Sequence, residues 1–257
     1  MDELVLLRDG AIAFLVLNRP ERRNAITIEM WQALPRVIRD VEGDDSVRVL
    51  IVRGAGDEAF ASGADISEFE RVRASTSSAR AYSVTVREAE RALERFPRPT
   101  IAMIHGACVG GGLSVALACD LRWASRTARL GITAARLGIV YSLEATRRLA
   151  DVVGPSHAGD LLYSGRLVDA EDAFHMGLVN RVCAPDRLER ETGDYARAIA
   201  QQAPLSQEGA KQMLRHLRDG GAATDSAGYV DRAYESADYR EGVRAFLEKR
   251  PPTFRGQ

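Results

Sequence analysis

Long apolar runs are missing from this 257-residue sequence. Stretches such as Ala11 to Leu17 fall far short of the ~20 residues that cross a bilayer, so no membrane span is expected. The chain opens Met1-Asp2-Glu3, and no secretory signal is expected. Charge of one sign is missing: 35 Lys and Arg stand against 36 Asp and Glu, a net −1. That balance gives no electrostatic case for nucleic acid or an anionic membrane surface as partner. Cysteine is scarce. Cys108, Cys119 and Cys183 are odd in number and lack metal-ligand spacing, so a reducing cytoplasm is the expected compartment. His105, His157, His175 and His216 are scattered outside any His-x-x-x-His context, and no metal is expected. Internal repeats, low-complexity tracts and long linkers are absent as well.

What is present is ordinary for a globular chain: 46% hydrophobic and 28% charged residues. The length suits one large domain, or a domain with a small helical extension. Leu4 to Arg8 and Ala11 to Leu17 flank Asp9-Gly10, a strong hairpin signal. Val47 to Val52 and Thr100 to Ile104 are compact branched runs suited to buried strands. Thr27 can cap a helix running to about Val41, which Pro35 should kink or shorten. Another helix is predicted over Ser78 to Phe96, where Ala79, Tyr82, Val86, Ala89, Leu93 and Phe96 make one apolar stripe. Strands alternating with helices argue for an α/β class. After about Pro185 the strand signals fade. Arg187 to Gln202, Ser206 to Arg218, Thr224 to Glu235 and Tyr239 to Lys249 read as helices. We therefore expect an α/β core over 1–185 and a helical region serving assembly over 186–257.

Gly110-Gly111-Gly112 follows a strand and precedes a helix-like run, Leu113 to Cys119. Glycines permit close backbone approach to a ligand. A helix start leaves unpaired N–H groups and a partial positive charge, which together can stabilise an oxyanion. On the glycines alone, a tight turn packed for its own sake explains the triplet better. It does not match the G-x-G-x-x-G dinucleotide fingerprint.

A second segment, Phe60-Ala61-Ser62-Gly63-Ala64-Asp65-Ile66, changes that balance. With Asn18-Arg19-Pro20, Asn24-Ala25, His105 to Gly112 and Ala116 to Asp120, it resembles the enoyl-CoA hydratase/isomerase (crotonase) family. Leu137-Gly138-Ile139, Gly165-Arg166-Leu167, Ala173, Gly177-Leu178-Val179 and the tail Glu241 to Phe254 continue the match in the family's order. The resemblance implies a spiral of ββα units closed by a C-terminal helical trimerisation region, giving a homotrimer or a dimer of trimers. It implies an acyl-CoA substrate, with no cofactor beyond the coenzyme A that the substrate carries. The backbone N–H groups of Ala64 and Gly111 would form an oxyanion hole for an enolate. Glu21, Arg22, Arg23, Ser62, Asp65, Ile66, Gly110, Ser114, Phe246 and Lys249 would line the CoA path or the acyl site. Guanidinium groups suit phosphate, although Arg22, Arg23 and Lys249 also read as plain surface charge.

The sequence departs from that pattern where acid–base chemistry should lie. A hydratase of the family carries two glutamates; the matching positions here are Ser114 and Ala135. Alanine cannot transfer a proton, and a serine without an activating partner is a poor base. The Pro-Gly-x-Gly-Gly loop of family hydratases is replaced by Val140 to Ala145, which brings in Tyr141 and Glu144. Glu144 reads either as a displaced acid/base or as a first-turn acid capped by Ser142. Tyr141 reads either as a hydrogen-bond donor to the reacting group or as filling for the space of absent glycines. The tyrosine resembles the methylmalonyl-CoA decarboxylase branch, whose histidine is replaced here by Ala64. Three functions stay open: an enolate-forming enzyme of doubtful hydratase activity, a malonyl-type CoA decarboxylase, and a catalytically silent acyl-CoA-binding protein.

Overall fold

The computed structural model describes residues 2–220 and 227–257. In chain order the first elements are β1 (Leu4–Asp9), β2 (Ile12–Leu17), α1 (Ile28–Glu42), β3 (Val49–Gly54), β4 (Ala59–Ala61), α2 (Phe69–Val72) and α3 (Thr76–Arg95). The middle adds β5 (Thr100–Ile104), β6 (Ala107–Val109), α4 (Gly111–Ala118), β7 (Leu121–Ser125), β8 (Arg129–Gly131), α5 (Leu143–Ser164), β9 (Leu167–Asp169), α6 (Ala170–His175) and β10 (Arg181–Cys183). The chain ends in α7 (Leu188–Ala200), α8 (Pro204–Asp219), α9 (Ala227–Glu235) and α10 (Ala237–Leu247). The predicted helix over Thr224–Glu235 is seen from Ala227 onward, and Thr224 to Ser226 lie outside the described residues.

The hairpin forms as its Asp-Gly signal requires, with Asp9 opposite Ile12 and Gly10 at φ 56°. Thereafter the chain repeats a ββα turn. β3, β5 and β7 each enter a six-stranded sheet ordered β1-β2-β3-β5-β7-β10. The strands that follow them, β4, β6 and β8, enter a four-stranded sheet closed by β9. Helices α3, α4 and α5 return the chain to the next turn, producing the spiral. All pairings from β2 to β10 in the large sheet are parallel. Such strands must bury both faces, and alternation divides their side chains. Leu50, Val52, Ala102 and Ile104 face a core shared with α1, α3 and α4. Val49, Ile51, Ile101 and Met103 face Leu188 and Ala196 of α7.

Thr27 caps α1 by accepting from the Met30 N–H at 3.1 Å. Pro35 does not shorten this helix, which runs on to Glu42. The ring removes one backbone donor, but Trp31, Leu34, Ile38 and Val41 bury an unbroken apolar face that outweighs the loss. α3 begins two residues earlier than its stripe predicts because Ser75 and Ser78 form a reciprocal capping box. α5 bends at Gly154 (φ 75°), just before Pro155.

Candidate functional site

The loop after β2 is built on Asn24, which is fully buried in the left-handed region at φ 55°. Its amide donates to the Ala55 and Ala59 carbonyls at 3.0 and 2.7 Å, and its oxygen accepts from the Arg19 N–H at 3.0 Å. Arg19 then reaches the Ala25 carbonyl at 2.7 Å and the Asp65 carboxylate at 2.9 Å. Hydrogen bonds from Ser67, with help from Arg19, hold the Asp65 carboxyl below the usual aspartate range. The loop of residues 18–25 is thereby tied to the segment that carries Ala64.

That segment is laid down by backbone pairing. The Ile26 N–H donates to the Gly63 carbonyl at 2.8 Å, and the Asp65 N–H donates to the Ile26 carbonyl at 2.9 Å. Because pairing alternates along an extended chain, the intervening Ala64 N–H faces the other way. Gly63 sits at φ 121°, a conformation that a side chain would strain. Gly111 opens α4 next to it. A Cβ on Gly111 would lie 3.1 Å from Cζ2 of Trp31 and 3.3 Å from the Ala64 nitrogen. Among the described residues, no acceptor takes either the Ala64 or the Gly111 N–H. Two free donors therefore converge beside the positive end of a buried helix.

Both donors open on a cavity of about 240 Å³. Ser62, Gly63, Ala64, Ile66, Gly110 and Gly111 line one side of it. Ser114 and Tyr141 line another, and their hydroxyls are in direct hydrogen-bonding contact. Burial, with the nearby Glu90 charge, raises the Tyr141 pKa above its ordinary value. Arg73 also lines the cavity, its guanidinium 4.1 Å from the Phe69 ring centre and 4.2 Å from that of Tyr82.

Glu90 of α3 lines the same cavity and was not singled out by motif or resemblance. It is 3% exposed, and its carboxylate accepts from Arg148 of α5 at 3.1 Å. Burial raises its pKa, while the charge of Arg148 and hydrogen bonds from Arg148 and Ser114 work against that rise. Arg148 also holds Glu94 at 3.3 Å, and Glu94 holds Arg218 at 2.6 Å. A signal for Glu90 did exist: it lies four residues after Val86 and three before Leu93, inside the apolar stripe.

Other expected site residues stand apart. Glu144 lies in the first turn of α5, whose cap is Ser142 accepting from the Ala145 N–H at 3.2 Å. Its carboxylate, 36% exposed, pairs with Arg87 at 3.5 Å and Arg91 at 3.6 Å and lines a separate groove with Arg147 and Arg218. The structure does not bring it to the cavity. Ala135 is exposed, and its neighbours Thr133 and Ala134 line the wall instead, so that segment supplies no carboxylate. Glu21, Arg22 and Arg23 are exposed, and neither arginine meets a carboxylate among the described residues. Their backbone carbonyls anchor Ser62: the Ser62 N–H donates to Arg23 at 3.0 Å and its hydroxyl to Arg22 at 3.4 Å. Asp65 turns its carboxylate to Arg19 and Ser67. Phe246, 82% exposed, lies on an apolar groove of the C-terminal helices, and Lys249 just beyond is exposed at φ 55°. Neither lines the cavity within one chain. Among the described residues, no three His, Cys, Asp or Glu side chains cluster as metal ligands would.

The chain is similar to known proteins along almost its whole length. The family model described as enoyl-CoA hydratase/isomerase matches residues 8–257. A solved structure described as an enoyl-CoA hydratase/carnithine racemase from Magnetospirillum magneticum is 38% identical. It superposes with a TM-score of 0.97, over 100% of this chain and 97% of that one. The short-chain-enoyl-CoA hydratase of Clostridium acetobutylicum is 32% identical over 97% of this chain and 96% of its own length. The crotonyl-CoA hydratase of Syntrophomonas wolfei is 32% identical over 98% of both chains.

Proposed function

The chain belongs to the enoyl-CoA hydratase/isomerase family, and from that footing we propose that it acts on an acyl-CoA thioester through an enolate held by Ala64 and Gly111. The observation that carries this reading is the convergence of two uncommitted backbone N–H groups on one cavity wall. A thioester oxygen between them accepts two hydrogen bonds. As the α-carbon loses a proton, charge builds on that oxygen and both bonds strengthen. Removing one such donor typically costs ~3–4 kcal/mol of barrier. The α4 N-terminus adds a favourable field at no reorganisation cost.

The cavity, about 240 Å³, is smaller than most ligand pockets, which run ~300–1,000 Å³. It suits the acyl end of the thioester and leaves the nucleotide outside. Arg22 and Arg23, exposed beside Ser62, are the cations available to its phosphates.

A Gly111→Val variant tests the hole. Its side chain would displace Trp31 and fill the approach to the Ala64 N–H. With the fold intact by circular dichroism, turnover across crotonyl-CoA, a 3-enoyl-CoA and methylmalonyl-CoA should fall ~10²–10³-fold or more. Unchanged butyryl-CoA affinity by calorimetry together with unchanged turnover would overturn the assignment.

A second reading, decarboxylation of a malonyl-type CoA ester, draws support from Ser114 at the family's first glutamate position and Tyr141 in the wall. Loss of CO2 leaves the electron pair on the α-carbon and generates the enolate without a base. Release of CO2 from methylmalonyl-CoA, abolished in Tyr141→Phe, would favour it.

A further inference from the structure

We infer that Glu90, acting through Ser114 and Tyr141, is the proton acceptor and donor for the acyl group in the cavity. This rests on the enolate reading above. The geometry carries it. Glu90, Ser114 and Tyr141 come from α3, α4 and the loop before α5, and all three line the cavity that holds the Ala64 and Gly111 donors. Ser114 lies three residues after Gly111 on α4, so the two positions share one helix face and line the same cavity. The Ser114 hydroxyl contacts Tyr141 directly, and it lies near enough to the Glu90 carboxylate to oppose the rise in its pKa.

Donor counting fixes what this chain of groups does. A serine and a tyrosine each have one O–H to give, and an ionised carboxylate has none. With Glu90 ionised, Ser114 donates to Glu90, Tyr141 donates to Ser114, and the Tyr141 oxygen offers a lone pair to the cavity. With Glu90 protonated the direction reverses, and Tyr141 presents its O–H instead. Proton abstraction from the α-carbon then balances as follows. The C–H bond breaks and its electron pair moves into the enolate. The proton joins the Tyr141 oxygen, the Tyr141 proton passes to Ser114, and the Ser114 proton passes to Glu90. One negative charge moves from the buried carboxylate to the oxygen held by Ala64 and Gly111. Reprotonation runs the chain backward.

The charges behind Glu90 permit this. The groups facing it are Arg148 from α5, Glu94 from its own helix and Tyr141 from the loop. When Glu90 takes up a proton, Arg148 keeps Glu94 at 3.3 Å and is not left as an unpaired buried cation. Burial favours the protonated form of Glu90 and raises its pKa above the ordinary carboxylate value, the direction that lets a base also return its proton as an acid.

The test is exchange of the α-hydrogens of butyryl-CoA in D2O, read by mass spectrometry, with wild type, Glu90→Gln and Ser114→Ala. Ser114→Ala leaves the Glu90–Arg148 pair intact, so it remains informative even where Glu90→Gln folds poorly. We expect exchange in wild type, with a pH inflection above the ordinary carboxylate range. Both variants should lose ~10²–10⁴-fold of the rate with butyryl-CoA affinity little changed, and Glu90→Gln should lose the inflection. Exchange in wild type that persists at full rate in folded Ser114→Ala or Glu90→Gln overturns the Glu90 assignment alone. No exchange in wild type, with butyryl-CoA bound, overturns the enolate reading and this inference with it.

Discussion

Asn24 uses both of its donors and one of its two acceptor sites: its amide protons go to two carbonyls and its oxygen accepts from the Arg19 N–H. Asn24→Ala strands all three backbone partners, and alanine tolerates φ 55° less well than asparagine. A buried group left without its partner costs ~1–3 kcal/mol, so urea unfolding should show a loss of about 3 kcal/mol or more. Glu144 makes the opposite case. Its two arginine contacts are long and half-exposed, so Glu144→Gln should cost no more than ~1 kcal/mol and leave turnover unchanged. A large rate loss in that variant would return Glu144 to the mechanism. At this scale the sequence was readable wherever backbone lines the candidate cavity. Ser62 to Ile66 and Gly110 to Gly112 could be named from motif because their order along the chain is their order in the site. Glu90 escaped because its meaning depends on Arg148, 58 positions away on another helix, and Ser114, 24 positions away. Local spacing marked it as buried but could not say what it met.

Helices α3 and α5 are joined by Arg148, which lies between Glu90 and Glu94. Removing the cation while keeping both acids is the damaging change. Arg148→Met leaves Glu94 with Arg218 but strands Glu90, and a broken buried pair costs ~3–5 kcal/mol. A urea midpoint within error of wild type would show the pair to be dispensable. The raised pKa of Glu90 also gives stability a pH slope of known sign. Between the unfolded value of 4.5 and its higher folded value, the folded state binds more protons. That contribution is therefore full below the unfolded pKa and is lost as pH rises through the folded one. Wild type should lose stability toward neutral pH relative to Glu90→Gln, as urea titrations at mildly acidic and neutral pH will measure. Most elements were readable in advance, since the apolar stripe gave α3, Thr27 gave the start of α1 and Asp9-Gly10 gave the hairpin. Pro35 misled because a proline's local penalty says nothing of the four buried side chains holding the helix around it. The start of α5 was readable in Ser142 as its cap, but its extent was not, for its apolar pattern is interrupted at Gly154-Pro155 and its buried members include a charged residue, Arg148.

The C-terminal helices expose an apolar groove lined by Tyr234, Tyr239, Val243, Phe246 and Leu247. α7 differs from them in packing on the large sheet through Leu188 and Ala196. We propose that the exposed groove is covered by a neighbouring subunit, as the family resemblance implies. Light scattering should give three or six times the 28.1 kDa chain mass, and Leu247→Arg should lower it. A stable monomer at micromolar concentration would exclude this. Closed symmetric assembly is the usual outcome for such faces. Among the described residues, no helix is long and apolar enough to cross a membrane. The three cysteines have a use at this scale. All are free and buried, and burial pushes the Cys119 thiol up to about 12 and the Cys183 thiol up to about 11. A thiol so placed reacts only when its surroundings open. Cys183 lies on β10, the edge of the large sheet, whereas Cys108 lies on β6 between β4 and β8. Alkylation rates at the two positions would therefore time the breathing of the large sheet's edge against that of the small sheet's interior, a clock already present in the unmodified chain.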